Sequence, residues 1–449
     1  MLKPTAPIRA GLPPGPKGTL IGGCIDKFDD GLLDFLLETA RDYGRLASAR
    51  VGPKRIFLVS DPALIEQVLV RDAKHYIKHF GTRAFRPILG NGLVTSEGAH
   101  WRSQRKLMQP NFMKAKVRAY APLMSTITET MLEAWTPGEA VTVNFEFSRL
   151  TSQIALKALF DLDDAGDRQH FTDTLKRAID IMTSRLRRLV KAPLWLPTPE
   201  TLRLKRALSE LDRTVLGFIA AARARGTEGD DLLSRLLAAT DEDGSHMSDS
   251  ELRDEAMTLY LAGHETTALA LTWTWVLLSQ HPSVEDKLAS EWRTVLGGRT
   301  PALKDVADLP YTSAVITEAM RLYPPVYIMG REATKDLELG GYRVKRGYTV
   351  LMSQWVSHRD PEIFPDPETF RPERWEDGLA RRIPKFAYFP FGGGQRVCIG
   401  TDFASVEAAI ILAAVGQRYR FTIDNVEIGF KPQVTLMPKD PITATLRRR

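Results

Sequence analysis

From Ala256 to Leu278 the chain is apolar on nearly every side of a helical projection, and no other stretch constrains the fold as much. Ser248 followed by Glu251 has the spacing of a capping box and predicts where the helix begins. At roughly 1.5 Å per residue such a helix is about 40 Å long, enough to cross a whole domain. A helix without a polar face has to be buried, so a helical body must surround it. Yet polar residues stand inside it, in Ala262-Gly263-His264-Glu265-Thr266-Thr267. A buried carboxyl and hydroxyl need partners or a purpose. Either backbone carbonyls at a kink satisfy Glu265 and Thr266, or the two form an acid–alcohol pair that serves a reaction. Gly263 removes a side chain where something flat or small approaches the backbone. His264 reads as a solvent or packing histidine, not a metal ligand.

The second constraint is Phe391-Gly392-Gly393-Gly394-Gln395-Arg396-Val397-Cys398-Ile399-Gly400. Cys24 and Cys398 are the two cysteines of the chain, which excludes a disulfide framework and a four-thiolate metal site. Cys398 lies among glycines, beside Arg396, just ahead of an apolar run, Val406 to Val415, that reads as a helix. Glycines let backbone N–H groups turn toward one point, and these together with a helix N-terminus stabilise a thiolate. A thiolate held in this way suits an axial iron ligand. A buried structural cysteine beside a glycine-rich turn is the plainer alternative.

The spacing Phe-x-x-Gly-x-Arg-x-Cys-x-Gly resembles the haem-binding loop of cytochromes P450. The likeness runs from Pro13-Pro14-Gly15-Pro16 to the C-terminal strands. It implies a mainly α cytochrome P450 fold, a large helical domain with a small β-rich lobe, of the soluble bacterial type. Haem b would be the cofactor, with Cys398 its axial ligand and Phe391, Gly392, Arg396 and Gly400 forming the cradle. Ala262 and Gly263 would approach the haem. Glu265 and Thr266 would lie over its distal face, stabilise bound dioxygen and relay protons.

Two further spacings agree. Glu318-x-x-Arg321 alone is an ordinary helical pair of little worth. With Phe370-Arg371-Pro372-Glu373-Arg374-Trp375 downstream, it resembles the family's buried triad, Glu318, Arg321 and Arg374, which locks the loop ahead of the cysteine. Trp101-x-x-x-Arg105 puts an indole and a guanidinium on one side of a helix. By resemblance Trp101, Arg105, Arg331 and Arg396 would bind the haem propionates, which need cationic hydrogen-bond partners. Arg331 could otherwise be a solvated strand arginine.

With 43% hydrophobic and 26% charged residues, the composition is that of an ordinary globular protein. Residues 1–20 read as a Pro-rich N-terminal segment and 21–449 as a single haem domain. Strands are expected at Leu46–Val51 and Arg55–Val59 around Gly52-Pro53, and at Leu337–Leu339, Tyr342–Val344 and Thr349–Ser353. Extended chain is expected near Gln433–Leu446. No apolar stretch reaches the roughly 18 residues that span a bilayer, and no signal-peptide core is present. The expectation is therefore a cytoplasmic monomer without a transmembrane anchor, and the sparse cysteines suit a reducing compartment.

Neither a dinucleotide-binding G-x-G-x-x-G nor cysteines for an iron–sulfur cluster occur in the sequence. Electrons would come from a separate ferredoxin or flavodoxin with its reductase. A net charge of +6 suits an acidic partner, with Arg102, Lys106, Lys114, Lys116 and Arg118 as a docking face or an ordinary solvated one. Nothing points to nucleic acid. The resemblance assigns substrate contacts to Phe85, Leu89, Ala262, Val326, Ile328, Met329 and Leu436, which suit a lipophilic substrate such as a fatty acid or terpenoid. Arg83 and Arg86 would meet a carboxylate at the pocket mouth. Lys176 to Lys205, with Leu194-Trp195-Leu196, reads as lid helices or a plain amphipathic surface.

The expected reaction is insertion of one atom of O2 into that substrate. A peroxygenase or isomerase is the alternative enzyme, although peroxygenases replace the acid–alcohol pair. A non-catalytic haem sensor would need no distal relay.

Overall fold

The computed structural model describes residues 11–29, 31–162, 165–187, 192–226, 231–240, 244–424 and 427–449. Pro4 and Pro7 of the Pro-rich start, and Arg188 and Lys191 of the basic stretch, lie outside them. The chain divides into two compact units, each described by itself. The first comprises Met1–Arg83, Arg321–Phe370 and Asp377–Cys398; the second comprises Ala84–Met320, Arg371–Glu376 and Ile399–Arg449.

The first unit is built on a five-stranded sheet in the order Leu46–Val51, Lys54–Val59, Thr349–Met352, Met329–Ala333, Tyr76–Lys78. Lys54–Val59 runs parallel to Thr349–Met352, and the other pairings are antiparallel. One set of its side chains packs inward: Phe57, Val59, Val350 and Met352 form a core with Ile65, Val68, Leu69, Phe386 and Phe389. A separate hairpin pairs Leu337–Leu339 with Tyr342–Val344. Both hairpins stand where the sequence places them.

The second unit is helical around one long helix, Asp249–Gln280. Its capping box has both halves: the Ser248 hydroxyl accepts from Glu251 N at 3.3 Å, and Ser248 N donates to Glu251 Oε2 at 2.9 Å. From Thr267 to Leu278 every residue is buried, as an all-apolar surface demands. Val143–Phe160 packs alongside, and its Thr151 hydroxyl donates to His264 O at 2.9 Å. His264 is a packing histidine: its ring stacks on Tyr260 at 4.5 Å, its Nδ1 meets Tyr260 O at 2.9 Å, and burial pushes its pKa down to about 4. A three-stranded antiparallel sheet orders Ala140–Thr142, Thr443–Arg448, Tyr419–Ile423, and Phe430–Pro432 pairs with Leu436–Pro438. Leu436–Pro438 and Thr443–Arg448 account for the extended chain expected near Gln433–Leu446.

Candidate active site

The cysteine loop, within the first unit, is shaped by main chain. Cys398 N donates to Phe391 O at 3.0 Å, and Gly392 N to Phe389 O at 2.9 Å. Gly394 has φ +67°, and a Cβ there would stand 2.0 Å from Leu69 O, so no other residue fits without moving backbone. Phe391 and Arg396 are half-buried, whereas the Cys398 side chain is exposed. This excludes the buried structural cysteine. Gly400 ends the loop as the residue before the helix Thr401–Arg418, which starts five residues earlier than its apolar run suggests. Met329, a candidate pocket residue, places its Cε 3.0 Å from where a Cβ on Gly392 would be. Val326 and Ile328 are half-buried on the same approach to the sheet.

Arg331, in the strand Met329–Ala333, is buried and donates to Gly330 O at 3.0 Å, so it is not a solvated strand arginine. Arg321 is fully buried and donates to three carbonyls: His358 O (2.9 Å), Pro367 O (2.6 Å) and Thr369 O (3.2 Å). Arg83 differs from expectation. Its guanidinium pairs with Glu332 at 2.8 Å, so it is already engaged by a carboxylate of the protein itself.

In the second unit, Ala262, Gly263, Glu265 and Thr266 follow one another on the long helix. Ala262 is exposed, and a Cβ on Gly263 would meet nothing within 4 Å, which leaves open space beside this turn. The Thr266 hydroxyl donates to Ala262 O at 2.7 Å. Burial pushes the Glu265 carboxyl up to about 7, against the pull of the Lys176 charge and the Thr435 hydroxyl; Asp180 adds to the rise. A carboxyl poised there both gives and takes a proton near neutrality.

Trp101 is buried on the helix Gly98–Met108, with Arg105 one turn on, its Nε donating to Gln109 Oε1 at 2.8 Å. Glu318 has no exposed surface: Oε1 accepts from Arg374 Nε (2.8 Å) and Arg371 N (3.0 Å), and Oε2 from Trp375 Nε1 (2.8 Å). Phe85 and Leu89 are buried among Leu252, Ala256 and Leu259 of the long helix. Leu436 is buried, and its carbonyl accepts from Trp273 Nε1 at 2.9 Å. Arg86 is exposed and donates to Thr95 O at 3.2 Å.

Sequence reasoning missed several groups. Asp254 Oδ2 and Glu255 Oε2 accept the main-chain N–H groups of Asn91 (2.6 Å) and Leu93 (3.0 Å), pinning the segment that follows Leu89. Burial pushes Glu255 up to about 8. Gly90 permits this, since a Cβ there would stand 1.9 Å from Asp254 Oδ1. Glu407 and Thr435, behind and beside the Glu265 turn, were also missed. A lone carboxylate in an apolar helix was the signal for Glu407.

On the surface, Arg102, Lys106, Lys116 and Arg235 line a groove of about 850 Å³. Trp195 is 75% exposed, with Leu194 and Leu196 beside it. Among the described residues no helix is long and apolar enough to cross a membrane.

Comparison with known proteins agrees with this geometry. A family model described as cytochrome P450 matches residues 13–446. The chain is 39% identical to cyclooctatin synthase of Streptomyces melanosporofaciens, over 88% of this chain and 87% of that protein. It is 36% identical to cyclooctat-9-en-7-ol 5-monooxygenase of the same organism, over 84% of this chain and 83% of the other. With pentalenene oxygenase of Streptomyces avermitilis the identity is 35%, over 85% of each.

Proposed function

The chain belongs to the cytochrome P450 family, and we propose that it inserts oxygen into a terpenoid. It is a haem b monooxygenase that places one atom of O2 in a lipophilic substrate, with electrons from a redox partner. The terpenoid reading is carried by the relatives, whose names specify cyclooctat-9-en-7-ol and pentalenene, both terpenoids. The apolar candidates Phe85, Leu89, Val326, Ile328, Met329 and Leu436 suit such a substrate, which shape rather than charge would orient.

The test is an optical titration of the ferric protein with cyclooctat-9-en-7-ol, pentalenene and a long-chain fatty acid. A terpenoid should shift the iron toward high spin with at least about tenfold tighter binding, or ~1.4 kcal/mol. A shift with the fatty acid alone would overturn the assignment.

The residues present fit haem: an exposed thiol on a main-chain cradle, and a helical turn left open at Gly263. Cys398 would hold the iron, and Trp101, Arg105, Arg331 and Arg396 would hold the propionates. Bound haem supplies oxygen activation. The chain's part is to position and to move protons. Because the Thr266 hydroxyl spends its one hydrogen on Ala262 O, its lone pairs remain to accept a hydrogen bond. Thr266 thus orients a proton-bearing group, while Glu265 exchanges protons near pH 7. Thr266→Ala should keep the fold and haem content but cut product formed per electron by about tenfold, the rest appearing as peroxide. Thr266→Ser should restore coupling. Unchanged coupling in Thr266→Ala would remove the role.

The cationic groove of Arg102, Lys106, Lys116 and Arg235 supports an acidic ferredoxin or flavodoxin as the electron donor.

A further inference from the structure

The loop from Gly90 to Leu93 follows the short helix Arg86–Leu89 and leads toward the helix Gly98–Met108. Nearly all of its main-chain polar groups have partners, and a loop bonded in this way is rigid. Gly90 N donates to Arg86 O at 2.8 Å and Gly92 N to Leu89 O at 3.3 Å. Gly90 O accepts from the Thr95 hydroxyl at 2.7 Å, and Gly92 O from Thr95 N (2.9 Å) and Ser96 N (2.8 Å). His100 Nε2 lies 3.2 Å from Asn91 O. All these partners are near in sequence. The two remaining N–H groups, of Asn91 and Leu93, reach the long helix, at Asp254 Oδ2 (2.6 Å) and Glu255 Oε2 (3.0 Å).

The loop sits directly on that helix. A Cβ on Gly92 would stand 2.3 Å from the Thr258 hydroxyl and 2.6 Å from Asp254 O, which is main chain and cannot turn aside. Asp254 is itself held: its Oδ1 accepts from Arg253 Nη1 at 3.0 Å, and Arg253 Nε donates to Asp212 at 2.8 Å. Glu255 is 1% exposed, with Oε1 buried and unpartnered, in a stretch whose Leu252, Ala256 and Leu259 belong to the core. A carboxyl buried there is costly where an apolar side chain would be favourable, and its hydrogen bond to Leu93 N is what it secures. On either side of the loop, Phe85, Ile88, Leu89 and Leu93 belong to one core cluster with Leu252, Ala256 and Leu259.

We propose that Asp254 and Glu255 are positioning residues for substrate selectivity: by holding the main chain of Asn91 and Leu93 on the long helix, they keep Phe85 and Leu89 as a preformed wall. The inference rests on the reading of Phe85 and Leu89 as substrate contacts. A preformed wall favours a ligand of fixed shape, because neither side loses much conformational freedom on binding. A yielding wall admits a flexible chain as well.

The test uses the haem-loaded protein and the variants Asp254→Ala, Glu255→Leu, Glu255→Gln and Gly92→Ala, with two readouts. The first is hydrogen exchange of the segment 90–93, followed by mass spectrometry, which needs no turnover. Loss of a hydrogen bond to a carboxylate should speed that exchange by at least about tenfold in Asp254→Ala and Glu255→Leu. Glu255→Gln, whose amide oxygen still accepts from Leu93 N, should stay close to the unsubstituted protein. Gly92→Ala lifts the loop while leaving both carboxyls in place, and it should exchange like the first two.

The second readout is the ratio of dissociation constants, terpenoid against long-chain fatty acid, from the optical titration described above. Asp254→Ala, Glu255→Leu and Gly92→Ala should bring that ratio several-fold closer to one with haem content unchanged, and Glu255→Gln should keep it. A merely structural role would lower stability without moving the ratio. An unchanged ratio or unchanged exchange in Asp254→Ala or in Glu255→Leu would remove that residue from the role, and in both would overturn the proposal. An unchanged ratio in Gly92→Ala would equally overturn it. A preference for the fatty acid in the unsubstituted protein would instead sink the terpenoid reading, and loss of that preference in the same variants would still uphold the wall.

Discussion

Cys398→Ser should give a folded protein that has lost the thiolate signature of its ferrous carbonyl complex and at least about 10³-fold in turnover, some 4 kcal/mol of transition-state stabilisation. The expectation of an intact fold comes from the loop itself. The bond that closes it runs from the Cys398 main-chain N–H, not the thiol, to Phe391 O, and the side chain is exposed. Exposed substitutions of this kind shift stability by about 0.5 kcal/mol or less. The effect should therefore be chemical. A hydroxyl is a far weaker acid than a thiol and does not supply a thiolate's electron density to iron. The measurement is the carbonyl difference spectrum beside a denaturation curve. An unchanged spectrum would remove Cys398 as the ligand, and a collapsed fold would mean the thiol supports the loop in a way the hydrogen bonds do not show.

Glu318→Gln should destabilise the protein by about 3–5 kcal/mol, against a total stability of about 5–15 kcal/mol. The substitution keeps the volume and removes the charge. Arg374, itself 4% exposed, would then lose the Glu318 carboxylate that pairs with it, and one of the three donors now converging on Glu318 would face an amide N–H2. Loss of haem on storage and an earlier unfolding midpoint should accompany the change. Product regiochemistry in the surviving fraction should not move. Glu318→Leu combined with Arg374→Leu should recover part of the loss, because a buried pair removed together leaves no stranded charge. A loss under about 1 kcal/mol in Glu318→Gln would show that packing, not the ion pair, holds residues 371–375.

How legible these features were depended on how far apart the partners lie in the chain. The capping box, the long helix and the Gly340-Gly341 hairpin are set by residues within a few positions of one another, and they stand where the sequence puts them. The first turn of Thr401–Arg418 was not readable, since Thr401, Asp402 and Ser405 interrupt the apolar pattern. Asp254 and Glu255 looked like solvated charges at the start of a helix. Their function as acceptors for Asn91 and Leu93 depends on chain some 160 residues away. The same holds for Glu407, whose carboxyl is pushed up by burial. The Arg83–Glu332 pair was hidden for the same reason: Glu332 is distant in sequence.

The cysteine loop owes its form to main-chain hydrogen bonds and to the missing side chain at Gly394, while Gln395 and Val397, like Cys398 itself, are exposed. Substitutions at those two positions should therefore leave the hydrogen bonds that close the loop intact. A loop held by its main chain can thus change side chains at such positions without changing its shape.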